Sequence, residues 1–440
     1  MKERTNMTLG ENLKSIRKEL GLRQHEIVGD EITRNLISMI ENNKTPLYYR
    51  TAKLIADNIN RISKERNLDI HIDPEDIMDP RRIEAKKQAD RYIEKLQSYI
   101  RNNHYEVEEY YIREIEAFLK KWNISDKKVV IYELLGKISY HYNDLQRQYN
   151  YLTRGLENYF VNPIKKDIHK LVMSLIGNCI FTGRYREAIN LSNLDCMSAD
   201  RLSDELKVKL NFNVALAYKN LERYDKALYY LQELKKYIGS NNSEGLRKSL
   251  ILEGICYNEK GQEDKAIEIY LKAIQILDDE DKEKAVVYAN ILDIYVSQKD
   301  KERAEEYRNK LVSLLPIFES ANEYISNIYY NLAEASELLG QNDLAEEYYK
   351  KSIIKAVEFN KIDYAIKGQL TLLDLYSRTN SEDKIVSNKE IFTKVFEHMN
   401  VSGSLELILR LTLACIERGD KDEAKNLINQ ILKGGHENEN

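Results

Sequence analysis

GQEDKAIEIY, Gly261–Tyr270, opens with turn-prone residues, passes through a charged stretch, and reaches an alanine followed by apolar residues at helical spacing. The same order recurs in GRYREAINL (Gly183–Leu191), ERYDKALYYL (Glu222–Leu231), KDKERAEEY (Lys299–Tyr307) and GQNDLAEEYY (Gly340–Tyr349). The shared alanine falls at Ala188, Ala227, Ala266, Ala304 and Ala345, in steps of 39, 39, 38 and 41 residues. Ile385 and Ala424 continue the series, and weaker members precede it around Tyr149 and Val107. A fixed period of this length marks a stack of supersecondary units, each burying its apolar face against its neighbours.

Two helices fit in each period. Tyr218, Tyr257, Tyr295 and Tyr376 stand nine residues before the alanine slot, on the first helix. One turn earlier come the small residues Ala215, Gly254 and Ala333, which let two helices approach while the phenol fills the space above. Gly183, Gly261, Gly340 and Gly419 stand five before the slot, where a helix end requires a left-handed residue. Composition agrees with an all-α chain: 5 Pro and 17 Gly in 440 residues leave few helix breakers, and 31 Tyr against 1 Trp make Tyr the structural aromatic.

These spacings resemble the tetratricopeptide repeat over residues 104–434, in about eight or nine helical pairs, with a period longer than that family's usual one. The resemblance implies a right-handed superhelix whose first helices line a concave, peptide-holding face. On that face, fourteen residues before the slot, stand Asn213, Asn290, Asn331, Thr371 and Arg410. Eighteen before it stand Lys170, Lys209, Lys248, Asn327 and Lys367. An Asn amide offers one donor and one acceptor to a peptide unit, and Lys offers charge to a carboxylate. Asp293, Glu334 and Asp374, eleven before the slot, suit an amino terminus or a basic side chain.

The N-terminal segment has a different grammar. Leu9, Leu13, Ile16 and Leu20 make one apolar stripe, ended at Gly21. LRQHEIV (Leu22–Val28) reads as a short second helix, with Gly29 in the following turn. In ITRNLISMIENNKTP (Ile32–Pro46), Thr33 is the N-cap, and Leu36, Ile37 and Ile40 are the inward face. Asn43 takes the left-handed exit position and Pro46 forbids continuation. LYYRTAKLIADNI supplies a further helix behind, and HIDPEDIM a last short one.

RQHEIV and ITRNLISMIENNK resemble the lambda-repressor-like (Xre) helix-turn-helix class, and residues 1–78 are expected to form that domain. The resemblance places the helix from Thr33 in the major groove of double-stranded DNA. Thr33, Arg34, Asn35 and Ser38 then lie nearest the bases, with Gln24, Asn43 and Lys44 on flanking phosphates; Glu41 is expected to be structural. Residues 1–70 hold 13 Lys/Arg against 10 Asp/Glu, a basic head on a chain of net charge −5.

Residues 79–103 read as a charged linker helix, and 435–440 as a disordered tail. The four Cys (Cys179, Cys196, Cys256 and Cys415) fit neither a zinc site nor a disulfide framework, so reduced thiols in the cytoplasm are expected. No signal peptide or membrane span is legible, and no phosphate loop or metal-protease motif, so neither an enzyme nor a cofactor is expected. A helix-turn-helix head on tetratricopeptide-like repeats resembles the peptide-responsive RRNPP-type regulators (the Rgg, PlcR and PrgX group). That likeness implies a homodimeric quorum-sensing transcription regulator whose repeats bind a short linear peptide. A DNA-binding regulator whose repeats hold a protein partner is the other reading.

Overall fold

A computed structural model describes residues 6–434 except 30, 69–70, 104, 162–167, 195–196, 198–201, 240–242, 279–281, 319–323, 382–383, 386–390, 392–407, 414 and 417–420. Gly419 and the expected tail therefore lie outside the described residues. The chain divides into two compact units, Met1–Leu202 and Ser203–Asn440.

The first unit begins with α1 (Leu9–Glu19), α2 (Arg34–Glu41), α3 (Tyr49–Glu65) and α4 (Pro74–Met78). Leu13, Ile16, Ile27, Ile37, Ile40, Ile55 and Ile59 form their shared core. Thr8 opens α1 with a reciprocal capping box to Glu11. Gly10 lets α1 run against the end of α2, since a Cβ there would lie 2.0 Å from the Ile40 carbonyl oxygen.

The expected second helix does not form. Between Arg23 and Val28 the backbone makes one turn, closed by Glu26 N–H to the Arg23 carbonyl at 3.0 Å. The Glu26 carboxylate instead accepts the Arg23 N–H and reaches Arg66 on the chain leaving α3. Ile27 still enters the core, fully buried, so the segment packs without being helical.

The remainder of this unit is α5 (Pro80–Arg101), α6 (Glu109–Lys121), α7 (Ser125–His141), α8 (Leu145–Val161), α9 (His169–Phe181) and α10 (Tyr185–Ser192). The linker helix is thus a single 22-residue α5, packed against α7. The second unit holds α11 (Asp204–Asn220), α12 (Tyr224–Lys235), α13 (Ser243–Glu259), α14 (Glu263–Ile274), α15 (Lys282–Ser297), α16 (Lys301–Phe318), α17 (Ile325–Leu338), α18 (Asn342–Glu358), α19 (Ile362–Arg378) and α20 (Lys421–Gly434). From α13 onward, consecutive hairpins share one continuous core.

The turns inside the hairpins are left-handed, as the Gly spacing requires: φ is 73° at Gly183, 70° at Gly261 and 76° at Gly340. Glu222, Lys299 and Asn380 hold the same slot with φ of 58°, 58° and 48°. The repeat geometry thus imposes the conformation even where a side chain resists it. Tyr270, Tyr329, Tyr349 and Tyr376 are the largest fully buried side chains. Two of these hydroxyls donate to carboxylates, Tyr349 to Glu337 at 3.2 Å and Tyr376 to Glu346 at 3.0 Å. Burial pushes the Cys179 and Cys256 thiols up to about 12, so both are inert packing groups.

Candidate DNA-reading helix and repeat-domain site

On α2, Thr33 caps the helix through its hydroxyl, which accepts the Leu36 N–H at 3.3 Å. Arg34 and Asn35 follow it on the first turn, both exposed, and Ser38 is half-buried one turn on. Ile37 and Ile40 hold the opposite face in the core. At the exit, Asn43 has φ 54° and Lys44 is exposed, with its N–H on the Met39 carbonyl at 2.8 Å. The helix therefore offers a polar first turn and a polar exit on one solvent face.

Glu41 anchors it from behind. Its carboxylate is 2% exposed and takes Arg17 Nε at 2.6 Å and Nη2 at 2.8 Å. Burial alone would raise the Glu41 pKa, but the bonds from Arg17 and Gln24 bring it below the usual carboxylate range. Gln24 donates Nε2 to the same carboxylate at 2.8 Å. Its amide thus fixes the helix, leaving one N–H and the carbonyl oxygen for another partner. Sequence reading passed over Tyr48 and Arg50, 68% exposed and with 87% of its side chain exposed respectively, on the chain just beyond the exit. Their signal is an aromatic and a cation beside a polar turn.

In the second unit, α15, α17 and α19 pack in succession and bring several predicted residues together. Lys367 lies 4.1 Å from the Tyr330 ring centroid, and the Tyr330 hydroxyl is 3.1 Å from Thr371 Oγ1. Asn331 donates Nδ2 to the Ala289 carbonyl at 2.9 Å, tying α17 to α15 beside Asn290. The Asn290 Nδ2 is shielded from water and lies against the buried Tyr270 hydroxyl without a well-formed hydrogen bond. Asp293 and Glu334 face the same place. Desolvation holds both carboxyls above their ordinary range, against the opposing charge of Lys367. Asp293 keeps surface open to water while being ringed by neighbouring helices; half-buried Glu334 carries the desolvation more securely.

Other predicted residues stand apart. Lys209 pairs with Glu205 at 2.6 Å and Lys248 with Glu244, both one turn back on their own helices, as solvated surface pairs do. Asn213 is half-buried on α11. Asn327 is half-buried on α17 and accepts the Ser326 hydroxyl at 3.3 Å. Arg410 pairs with Asp374 at 2.5 Å. Lys170 is exposed on α9, in the first unit. The Tyr330 ring and its contact with Lys367 were not singled out from sequence, because one Tyr among 31 carries no positional signal.

Residues 10–71 match the helix-turn-helix domain family, and residues 248–276, 285–316 and 326–353 match the tetratricopeptide repeat. The chain is an N-terminal helix-turn-helix domain followed by tetratricopeptide repeats, all-α in class. A helix-turn-helix domain points to DNA as a partner, and tetratricopeptide repeats to a peptide or protein.

Over 100 residues the chain is 31% identical to the Photosystem I assembly protein Ycf3 of Rippkaea orientalis, a stretch covering 23% of this chain and 57% of that protein. Among solved structures, the apo form of RapI is similar over 79% of this chain and 98% of its own, at 13% identity and a TM-score of 0.49. A Rap protein complexed with competence and sporulation factor is similar over 84% and 98%, at 12% identity and a TM-score of 0.41. These likenesses concern the helical-repeat fold alone. Among the described residues, no helix is long and apolar enough to cross a membrane.

Proposed function

We infer that the protein is a DNA-binding transcription regulator of the RRNPP type, acting as a homodimer in the cytoplasm. Its repeat domain binds a short linear peptide that modulates operator binding. The observation that carries the peptide reading is the cluster on α15, α17 and α19. There the Asn290 amide, the carboxyls of Asp293 and Glu334, both held above their ordinary range, and Lys367 converge on one place. Two carboxylates facing one cation at a desolvation cost give a stable fold little, whereas an extended peptide supplies a further positive partner. Asn290 and the oxygen of Asn331 address a peptide unit, Lys367 and Thr371 a carboxylate or carbonyl, and Asp293 with Glu334 an amino terminus or basic side chain. Peptide binding then favours one arrangement of the repeats, and the DNA heads follow.

The DNA half rests on the exposed Arg34 and Asn35 at the start of α2, whose side chains match guanine and adenine edges. Selection from a pool of random double-stranded oligonucleotides should yield a palindromic site. The Arg34→Ala/Asn35→Ala pair should reduce discrimination against scrambled DNA by at least tenfold, about 1–3 kcal/mol per lost base contact. Retained discrimination would remove both residues from readout.

For the repeat domain, a library of peptides about 5–10 residues long, the span of a few repeats for extended chain, should yield a binder. Asn290→Ala should weaken that binder at least tenfold, corresponding to about 1–3 kcal/mol for an unmatched buried partner. Calorimetry giving equal affinities would refute the clamp. A protein partner in place of a free peptide is the second reading. Selection of no peptide, with capture of a folded protein that Asn290→Ala releases, would favour it.

A further inference from the structure

Beneath the DNA-reading head lies a buried ionic cluster that neither DNA nor peptide recognition uses. Asp76, on α4, is 0% exposed. It receives Arg82 Nε at 3.0 Å and the Lys86 ammonium, both from α5. Asp73, at the start of α4, receives the same two cations at 3.2 and 2.9 Å. The third arm of Arg82 crosses to the repeats, where Nη1 donates to the Asn123 carbonyl between α6 and α7 at 2.6 Å. Further along α5, Asp90 accepts Lys127 of α7 at 2.6 Å.

The apolar packing follows the same line. Ile83, in the first turn of α5, packs on the head core. Ala89, Tyr92 and Leu96 of the same helix belong to the core shared with α6 and α7. The 22 residues of α5 span roughly 33 Å without a break, so one rigid rod is inserted in both cores. On the head side, Asn12 of α1 donates to the Asp76 and Ile77 carbonyls at 2.8 and 2.9 Å. The Gly10 contact then carries α1 onto the end of the recognition helix.

We propose that Arg82 is a positioning residue that locks the helix-turn-helix head to the first repeat helices, so that they move as one body. A signal reaching the early repeats would change where the recognition helix points, and not how freely it swings. The buried ions make this joint specific in geometry, since Arg82 meets two carboxylates and a carbonyl only in one orientation. The inference rests on the head being the DNA-binding part only for its consequence; the joint itself concerns α4, α5 and Asn123.

The test uses the full chain with its four cysteines replaced by alanine. Spin labels are placed at Lys18→Cys in the head and Lys120→Cys at the end of α6, both exposed positions. Dipolar spectroscopy should give one narrow distance distribution. Arg82→Gln should broaden it at least twofold, while a pair within the head (Lys18→Cys with Arg61→Cys) stays narrow. Where Arg82→Gln also broadens the head pair, Arg82→Lys decides: it keeps the charge opposite Asp73 and Asp76 but lacks the fork that also reaches Asn123. A broad distribution in the parent chain, or a width unchanged by Arg82→Lys with an intact head, overturns the proposal. A narrow parent distribution in a chain that selects no DNA site would remove the proposed function and leave the joint standing.

Discussion

At the scale of single residues, the recognition helix depends on a carboxylate it does not show to solvent. Glu41→Ala leaves the Arg17 guanidinium buried without its partner, which costs about 3–5 kcal/mol. Thermal unfolding should show loss of the first unit at lower temperature, with the transition of the second unit unchanged. The pH dependence has a definite sign. Because the folded Glu41 pKa is lowered, its contribution is present above the ordinary carboxylate value and is lost as pH falls towards the folded value. Head stability should therefore decline below about pH 4.5. Sequence assigned Glu41 a structural role without its partner. Arg17 lies 24 positions away, and only the folded head brings it within 2.6 Å.

At the scale of elements, the repeats were legible because their signals are local and recur. Small residue, tyrosine, left-handed turn and alanine return in most periods, and each follows from helix geometry. Gly254 shows the contact they serve: a Cβ there would lie 2.3 Å from the Tyr270 ring, which is 1% exposed. Gly254→Ala should accordingly destabilise the second unit by about 1–3 kcal/mol, read from denaturant unfolding. An unchanged midpoint would mean that α13 and α14 separate without cost. The segment Leu22–Val28 was misread as a helix because its apolar spacing fits one turn of helix as well as a whole one. In the fold it makes a single turn and still buries Ile27 in the core.

At the scale of the molecule, the candidate peptide site is a property of three repeats together. No single helix contains it: Asp293, Glu334 and Lys367 come from α15, α17 and α19. Glu334 is kept against stability, since desolvation raises its folded pKa. Glu334→Gln should raise the melting temperature at neutral pH, and the gain should vanish as pH falls below the ordinary carboxylate range, where the parent side chain is protonated in both states. A gain that persists in acid would indicate repacking and not relief of a desolvated charge. The same change should weaken binding of a peptide with a free amino terminus or basic side chain.

Sequence by itself determined the class of fold, the period of the repeats, the left-handed turns and the polar first turn of α2. All of these follow from which residues stand within a few positions of one another, and that is written in the chain. Tertiary structure decided what depends on distant partners. Gln24 was turned inward to Glu41, Lys209 and Lys248 were drawn into pairs on their own helices, and Asn331 was tied to Ala289. It also set Asp293 and Glu334 opposite one cation, Lys367, and joined α4 to the repeats through Arg82. Donor, acceptor and charge are set by residue type; which of them is satisfied within the fold, and which remains for a ligand, is set only when helices far apart in the chain meet.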